Sequence, residues 1–184
     1  MGKKKHIQLL ARNFMRKIAH GYTINLHQIA QQLNTQICYR NDMPRNVNGV
    51  TIPLQDGSYI IAIKSPQPFL SERFSIAREI AHIVLGHCAE GIVITSSSEM
   101  HNPGIFPCDW ESFAFALEML VPLEELRYSL SAYEVLDIDR LCTLYGVAGE
   151  IIKTRLNEIG LIQSSHALPH TLSLVNCGAY GTAH

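Results

Sequence analysis

The chain has 184 residues, of which 47% are hydrophobic and 17% charged, with a formal net charge of −1 and a pI near 6.7. This composition is that of a folded globular chain and excludes a disordered one. The small net charge excludes strong attraction of the whole chain to nucleic acid or anionic membranes. No apolar run reaches transmembrane length and no signal peptide is recognisable, so we expect no membrane association and a cytoplasmic location. The five cysteines lack C-x-x-C spacing, which is typical of a reduced compartment.

The first part of the chain predicts two helices. The basic residues from Lys3 to Lys5 are predicted to be a solvated terminus. Apolar residues at helical spacing then predict a helix over 7–19. Asn25 is placed to cap a second helix over 26–33, because its short polar side chain can accept a hydrogen bond from a free N–H of the first turn.

The pattern then changes to that of β-strands. Runs rich in β-branched residues lie at 37–39, 47–54 and 59–63. Asp56-Gly57 separates the last two runs and predicts a hairpin with a type I′ turn, in which both central residues have positive φ. These runs predict a small, mostly antiparallel sheet of about three strands.

The next segment predicts a long helix over 72–86, with Ser71 placed to cap it. Apolar side chains cover most of the circumference of this helix. The remaining stripe has a spacing of three or four residues and consists of Ser75, Arg78, Glu79, His82 and Gly86. Because charged groups are rarely buried without partners, this stripe is expected to face a polar cleft or another charged element.

The rest of the chain is predicted to be a loop followed by helices. Residues 88–107 form the loop, and the predicted helices cover 109–120, 123–129, 131–145 and 147–158. We predict one domain over 1–163 and a loosely ordered tail over 164–184. The fold class is α+β, with a helical C-terminal half.

Residues 78–82 match most of a zinc-binding motif. In His-Glu-x-x-His, two histidines on one helix face hold the metal and the glutamate activates a metal-bound water. Here Glu79 and His82 occupy their positions, whereas Arg78 replaces the first histidine. An arginine stays protonated and cannot donate a lone pair to zinc. Taken alone, a glutamate and a histidine three residues apart are more often a structural ion pair.

Further segments extend the pattern over roughly residues 8–162. They are the leading helix pair, Asn48-Gly49, the strand 59–63, Arg-Phe-Ser-Ile-Ala at 73–77, Leu-Gly-His at 85–87, Glu-Ser-Phe-Ala-Phe-Ala-Leu-Glu-Met-Leu-Val-Pro at 111–122 and a helical pair over 144–156. In this order they resemble the ImmA/IrrE family of zincin-like metallopeptidases. The resemblance implies a compact zincin-like metallopeptidase fold. It also implies a regulatory role in a bacterial or mobile-element circuit, through action on a protein partner such as a transcriptional repressor.

The same resemblance implies a zinc cofactor and the residues that would serve it. His82 and Glu111 correspond to metal ligands, and Glu79 corresponds to the general base. The chain departs from the family at Arg78 and at Phe113, where asparagine is usual. Two protein ligands remain where a catalytic zinc site uses three and a water, so we expect weak or absent zinc binding and peptidase activity.

Two interpretations of Arg78 follow. In the first, its guanidinium takes the place of the metal and neutralises Glu111 or Glu79. In the second, another side chain completes a rebuilt metal site. These interpretations lead to different functions, a pseudoenzyme that binds a protein partner and an active zinc metallopeptidase with an altered ligand set.

The donors available for a rebuilt site are few. Cys88 and Cys108 flank the predicted loop and His101 lies within it, although a buried free cysteine is the commoner role. His87 follows His82 by five residues, which places it about 140° away on a regular helix and makes it a poor co-ligand.

Residues 141–160 also resemble a helix-turn-helix, with Gly146 in the turn. Its second helix offers only Lys153 and Arg155 as cations, and two glutamates counter them. Because a DNA reader needs several basic groups for phosphates, direct nucleic-acid binding is the weakest of the three functions.

Overall fold

The structure is a computed structural model that describes residues 2–18, 24–96, 107–132, 135–162 and 172–173. The chain forms two compact units, Met1–Leu120 and Val121–His184. Two parts of the prediction lie outside the described residues. They are residues 133–134 of the helix predicted over 131–145 and nearly all of the predicted tail, 164–184. The predicted boundary at residue 163 therefore stays a prediction.

The first unit combines helices with a four-stranded sheet, which confirms the α+β fold class. Its elements in chain order are α1 (Lys3–Ile18), α2 (Leu26–Gln32), β1 (Thr35–Arg40), β2 (Val47–Pro53), β3 (Tyr59–Lys64), α3 (Phe69–Val84), a 3-10 turn (His87–Glu90), β4 (Val93–Ser96) and α4 (Pro107–Leu120). Asn25 caps α2 as predicted, since its Oδ1 accepts a hydrogen bond from the N–H of Gln28 at 3.1 Å.

The strand order is β1-β3-β2-β4, with β1 parallel to β3 and the other pairs antiparallel. The fourth strand, β4, lies in the segment predicted to be a loop. The predicted type I′ turn is wrong, because Gly57 has a φ of 81° whereas Asp56 is not in the left-handed region. Asp56 instead accepts a hydrogen bond from the N–H of Ser58 at 2.9 Å, which is the side-chain-to-backbone bond of an Asx turn.

Helix α3 packs against the sheet on one side and against α4 on the other. Its first residue is Phe69, and Pro68 stands at the N-cap without a side-chain hydrogen bond, so the predicted cap at Ser71 is wrong. Pro68 has a φ of −56° and a ψ of 137°, an extended conformation that proline adopts readily. The main core of this unit lies along the buried residues Ile61, Ile63, Ile76, Ala77, Ile80, Ala81, Phe115, Ala116, Leu117, Met119 and Leu120.

Helix α1 is fastened to α4 by an aromatic contact and by the pairing of a half-buried arginine with a buried carboxylate. The rings of Phe14 and Phe115 lie 5.7 Å apart between centroids. Arg12 Nε lies 3.3 Å from Glu118 Oε1, and the Glu118 side chain has no exposed surface. A buried carboxylate requires such a partner, so this pair fixes α1 in register on α4.

The second unit is largely helical. It contains α5 (Leu123–Ala132), β5 (Val135–Leu136), α6 (Ile138–Tyr145), α7 (Gly149–Glu158) and β6 (Leu172–Ser173), and β5 pairs antiparallel with β6. The helix predicted over 131–145 is therefore too long at its start. Asp137 begins α6 by accepting a hydrogen bond from the N–H of Arg140 at 2.7 Å. No helix in the described part of the chain is long and apolar enough to cross a membrane.

Candidate functional site

Three polar side chains of α3 are withdrawn from solvent. Arg78 is 4% exposed, and Glu79 and His82 are 0% exposed. Because desolvation of unpartnered charge costs several kcal/mol, about as much as a small chain's entire stability, each group requires a compensating neighbour. We use the name polar cluster for these residues and the side chains that meet them, which are Arg78, Glu79, His82, His87, Asp109 and Glu111.

Glu79 points onto the inner face of the sheet. Its Oε2 accepts a hydrogen bond of 2.7 Å from Thr51 Oγ1 of β2. Burial raises the pKa of Glu79 to about 7, although the hydroxyls of Thr95 and Thr51 and the charge of Arg78 counter this increase. A carboxyl group with this pKa exchanges a proton readily at neutral pH, which suits a general base or acid.

Gly49 of β2 makes room for Glu79. A Cβ at residue 49 would lie 2.7 Å from Cδ and 2.9 Å from Cγ of Glu79, and it would also collide with Oε1. Gly49 pairs across the sheet with Thr95 of β4, so the glycine and both threonine hydroxyls lie beneath the same carboxyl group. The strand therefore has a glycine at this point because the side chain of α3 approaches its backbone.

We expect Gly49→Ala to destabilise the protein by about 1–3 kcal/mol, because overpacking at a buried contact forces the helix or the strand to shift. Gly149→Ala is the control, since a Cβ there meets only ordinary contacts from 3.5 Å outwards. Urea unfolding of both variants gives the comparison. A smaller cost for Gly49→Ala in a Glu79→Ala background would locate the clash, whereas equal costs in both backgrounds would contradict it.

His82, His87 and Glu111 form a continuous hydrogen-bonded chain. The Nδ1 atoms of His82 and His87 lie 3.0 Å apart, and His87 Nε2 lies 3.0 Å from Glu111 Oε2. On the other side of His82, its Nε2 lies 3.3 Å from Thr95 Oγ1. Glu111 is thus connected to His82 through His87.

His87 lies beside His82, whereas a regular helix would have placed the two side chains about 140° apart. Helix α3 ends at Val84, and Gly86 has a φ of 76° in the left-handed region that glycine adopts readily. The chain therefore turns before His87 and returns its imidazole to that of His82, with ring centroids 5.0 Å apart. The angle of about 140° applied only to a helix that continued through Gly86.

The donors and acceptors of this chain have a consistent assignment when both imidazoles are neutral. The carboxylate of Glu111 can only accept, so His87 Nε2 carries a proton and His87 Nδ1 accepts from His82 Nδ1. His82 Nε2 is then an acceptor, and the single hydroxyl proton of Thr95 can be donated either to this nitrogen or to the carboxylate of Glu79. Burial is the main cause that lowers the pKa of His82 to about 3, with smaller contributions from the neighbouring His87 and Arg78, and this keeps the His82 ring neutral.

Arg78 faces a carboxylate that the sequence interpretation did not include. Its Nη2 lies 3.7 Å from Asp109 Oδ1, and both side chains are almost completely buried. The arginine in the first ligand position thus pairs with a carboxylate of α4. The first interpretation named Glu111 or Glu79 as its partner, and the ion pair in the structure is with Asp109.

Lys3 supplies the second cation near these carboxylates. Its Nζ lies 2.8 Å from Glu111 Oε1 and 5.2 Å from the centroid of the Trp110 ring. Lys3 is exposed, as predicted for the basic N-terminal segment, but its ammonium group is paired with Glu111. Helix α1 begins at Lys3 rather than at residue 7, and its packing on α4 carries the lysine to Glu111.

The zinc that the fold family implies does not fit the donors in this arrangement. Both ring nitrogens of His82 and of His87 are engaged by protein atoms, and the two oxygens of Glu111 face Lys3 and His87. A catalytic zinc needs three protein ligands directed at one point. Within the described residues, no group of three or more His, Cys, Asp or Glu side chains has that arrangement.

The alternative donors do not complete the set. Cys88 is buried beside the cluster, and burial with the charge of Glu79 raises its pKa to about 11, so it is a thiol at neutral pH. Cys108 is half-buried at the start of α4, and His101 lies outside the described residues. Phe113, the other departure from the family pattern, packs on Phe74 with ring centroids 5.3 Å apart.

Comparisons with known proteins address the fold and the family. The family model of the IrrE N-terminal-like domain (Peptidase_M78) matches residues 30–157. A solved structure described as a Mycobacterium tuberculosis transcriptional regulator matches with a TM-score of 0.60 and 15% sequence identity, over 83% of this chain and 46% of that one. The chain therefore spans less than half the length of that protein. A search of curated proteins gave no match. The family match covers most of the chain and includes α3 and α4, so the chain belongs to the IrrE N-terminal-like domain family.

Proposed function

We propose that this chain is a regulatory protein of metallopeptidase fold that binds a protein partner, such as a transcriptional repressor, and does not cleave it by zinc catalysis. The observation that carries the proposal is the pairing of Arg78 with Asp109 at the position of the first zinc ligand. Membership of the IrrE N-terminal-like family and the likeness in fold to a transcriptional regulator support a regulatory role.

The charges around the cluster favour partner binding over metal binding. Arg78 holds a permanent positive charge within the site, and Lys3 adds another on Glu111. A divalent cation entering among them would meet like charge in a poorly solvated environment, where repulsion is weakly screened. Arg78 already pairs with the carboxylate of Asp109, and Lys3 pairs with that of Glu111, so neither carboxylate needs a metal for neutralisation.

We expect the chain purified without chelators to contain far less than one equivalent of zinc and to acquire little on titration. The reason is that, among the residues that the structure describes, no three His, Cys, Asp or Glu side chains are arranged to hold a metal ion. Elemental analysis and competition with a chromophoric chelator measure both quantities. One equivalent of tightly held zinc, lost in a His82→Ala variant, would contradict the proposal.

The partner can be tested separately from the metal. Purified candidate repressors are mixed with the chain, and complex formation is followed by size-exclusion chromatography while mass spectrometry follows their integrity. We expect stable complexes with uncleaved repressor, unchanged by Glu79→Gln. Cleavage that Glu79→Gln abolishes would show an enzyme, and the absence of any complex across the panel would count against the repressor as partner.

A peptidase with an altered ligand set is the second candidate, and one observation favours it. His87 Nδ1 lies 3.0 Å from Nδ1 of His82, the predicted ligand. A second imidazole is therefore available beside His82, although His87 is not part of the His-Glu-x-x-His motif. The pKa of Glu79, raised to about 7, also suits a general base. In this candidate, the His87→Ala variant would lose both zinc and peptidase activity.

Direct DNA binding has less support. Arg155, one of the two cations on the second helix of the helix-turn-helix pattern, is completely buried and donates from Nε to the carbonyl oxygen of Val121 at 2.9 Å. The other cation, Lys153, pairs with Glu150 at 2.8 Å. A helix whose arginine is buried offers little to the phosphates of DNA.

A further inference from the structure

The position of Lys3 defines a receptor for an ammonium group. Its Nζ contacts a carboxylate oxygen of Glu111 at 2.8 Å and lies 5.2 Å from the centre of the Trp110 ring. A carboxylate provides the opposite charge, and the negative face of an indole attracts a cation within about 6 Å. These are the two elements by which proteins recognise lysine and related ammonium groups.

We propose that Trp110 and Glu111 form a binding subsite for a lysine side chain of the partner protein, and that Lys3 occupies this subsite until the partner displaces it. The inference rests on the proposed function, because it assigns part of the surface by which the partner is bound. It adds the chemical class of the group that is recognised, a primary ammonium on a flexible apolar stem.

The two sides of this contact differ in how firmly they are held. The side chain of Lys3 is 64% exposed, whereas that of Glu111 is 16% exposed and is also fixed by His87 at 3.0 Å. An exposed lysine in such a pair is held weakly, because solvent screens the attraction and the side chain loses rotamer freedom. The receptor side is therefore preformed, and the lysine is the part that can leave.

Helix α1 does not depend on Lys3 for its position. The buried residues Ile7 and Ala11 and the pair of Arg12 with Glu118 lie one or more turns further along the helix. Replacing Lys3 should therefore open the subsite while the helix remains on α4. Lys5 is exposed and lies in the same turn, which makes Lys5→Ala a matched control.

Trp110 is the only tryptophan of the chain, so intrinsic tryptophan fluorescence reports on this subsite alone. The probe is Nα-acetyl-lysine-N-methylamide, which keeps its side-chain ammonium group. Nα-acetyl-norleucine-N-methylamide is the matched compound without the ammonium group. We expect the lysine probe to change the emission of Lys3→Ala with a half-saturation about sixfold lower than in the parent or Lys5→Ala. An exposed pair that contributes about 1 kcal/mol occupies its site roughly 85% of the time, which weakens the apparent affinity of a competitor about sixfold.

Three outcomes decide the proposal. A response to the lysine probe that is absent with norleucine and lost in Lys3→Ala/Glu111→Gln supports it. Equal responses in Lys3→Ala and Lys5→Ala overturn it, since Lys3 would then not be the occupant. No response in Lys3→Ala also overturns it, provided that circular dichroism shows the variant to be folded. Complex formation with repressors is measured independently, so a failed subsite and a failed partner assignment give different results.

Discussion

Arg78→His is expected to raise the zinc affinity of the chain by about a hundredfold or more. The substitution restores His-Glu-x-x-His, in which both imidazoles lie on one helix face, and removes a fixed positive charge from the site. Structural zinc binding of about 10–16 kcal/mol over four ligands corresponds to roughly 3 kcal/mol for each ligand, or about two decades in affinity. Competition with a chromophoric chelator measures the gain.

Two companion variants make this test specific. Arg45→His introduces the same residue at an exposed position and should leave zinc affinity unchanged. Lys3→Ala/Arg78→His should bind zinc more tightly than Arg78→His alone, because Lys3 no longer holds Glu111. Equal, negligible affinity in the parent, in Arg78→His and in the double variant would mean that the cluster has lost more than one ligand.

Arg78→Met is expected to destabilise the protein by about 3 kcal/mol. Methionine fills similar space but leaves the buried carboxylate of Asp109 without the guanidinium that lies 3.7 Å away. Removal of one partner from a buried ion pair costs about 3–5 kcal/mol, and the length of this contact places the expected value at the lower end. Urea or guanidinium unfolding at neutral pH measures the change in the free energy of unfolding.

An exposed ion pair at the surface provides the control for the buried pair of Arg78 with Asp109. Arg40 and Asp42 are joined by a bidentate contact, with Nε to Oδ1 at 2.9 Å, but both side chains are more than half exposed. Arg40→Met should therefore leave stability almost unchanged, since solvent screens exposed pairs. The double variant Arg78→Met/Asp109→Leu should recover part of the loss, because it removes both charges. An unchanged free energy of unfolding in Arg78→Met would show that the buried pair contributes nothing to stability.

Much of the fold could be predicted because it depends on local patterns. The apolar circumference and polar stripe of α3 follow from helical periodicity, and the cap at Asn25 follows from its side-chain chemistry. Strand β4 was missed because a strand of four residues carries little periodicity. The parallel pairing of β1 with β3 depends on tertiary contacts that no local pattern specifies.

The residues of the polar cluster could likewise be predicted where a local motif identifies them, but not where tertiary contacts bring them together. Glu79, His82 and Glu111 were identified from a motif and a resemblance, and the structure joins the last two through His87. His87 was expected to be a poor co-ligand only on a regular helix, and α3 ends before His87 because Gly86 is a recognisable terminator. Asp109 and Lys3 could not be assigned, since their partners are distant in sequence. Only the packing of α1 on α4 and of α4 on α3 brings them together.

The attachment of α1 has a consequence for how this chain should be handled in the laboratory. The family match begins at residue 30, so an expression fragment cut at that boundary would omit the whole of α1. Such a fragment would lose Arg12, the cation 3.3 Å from the fully buried carboxylate of Glu118, and would uncover the ring of Phe115. It would also lose the lysine on Glu111 and present a more negative surface there. Metal affinities measured on that fragment would belong to a different electrostatic environment, so titrations require the chain with α1 in place.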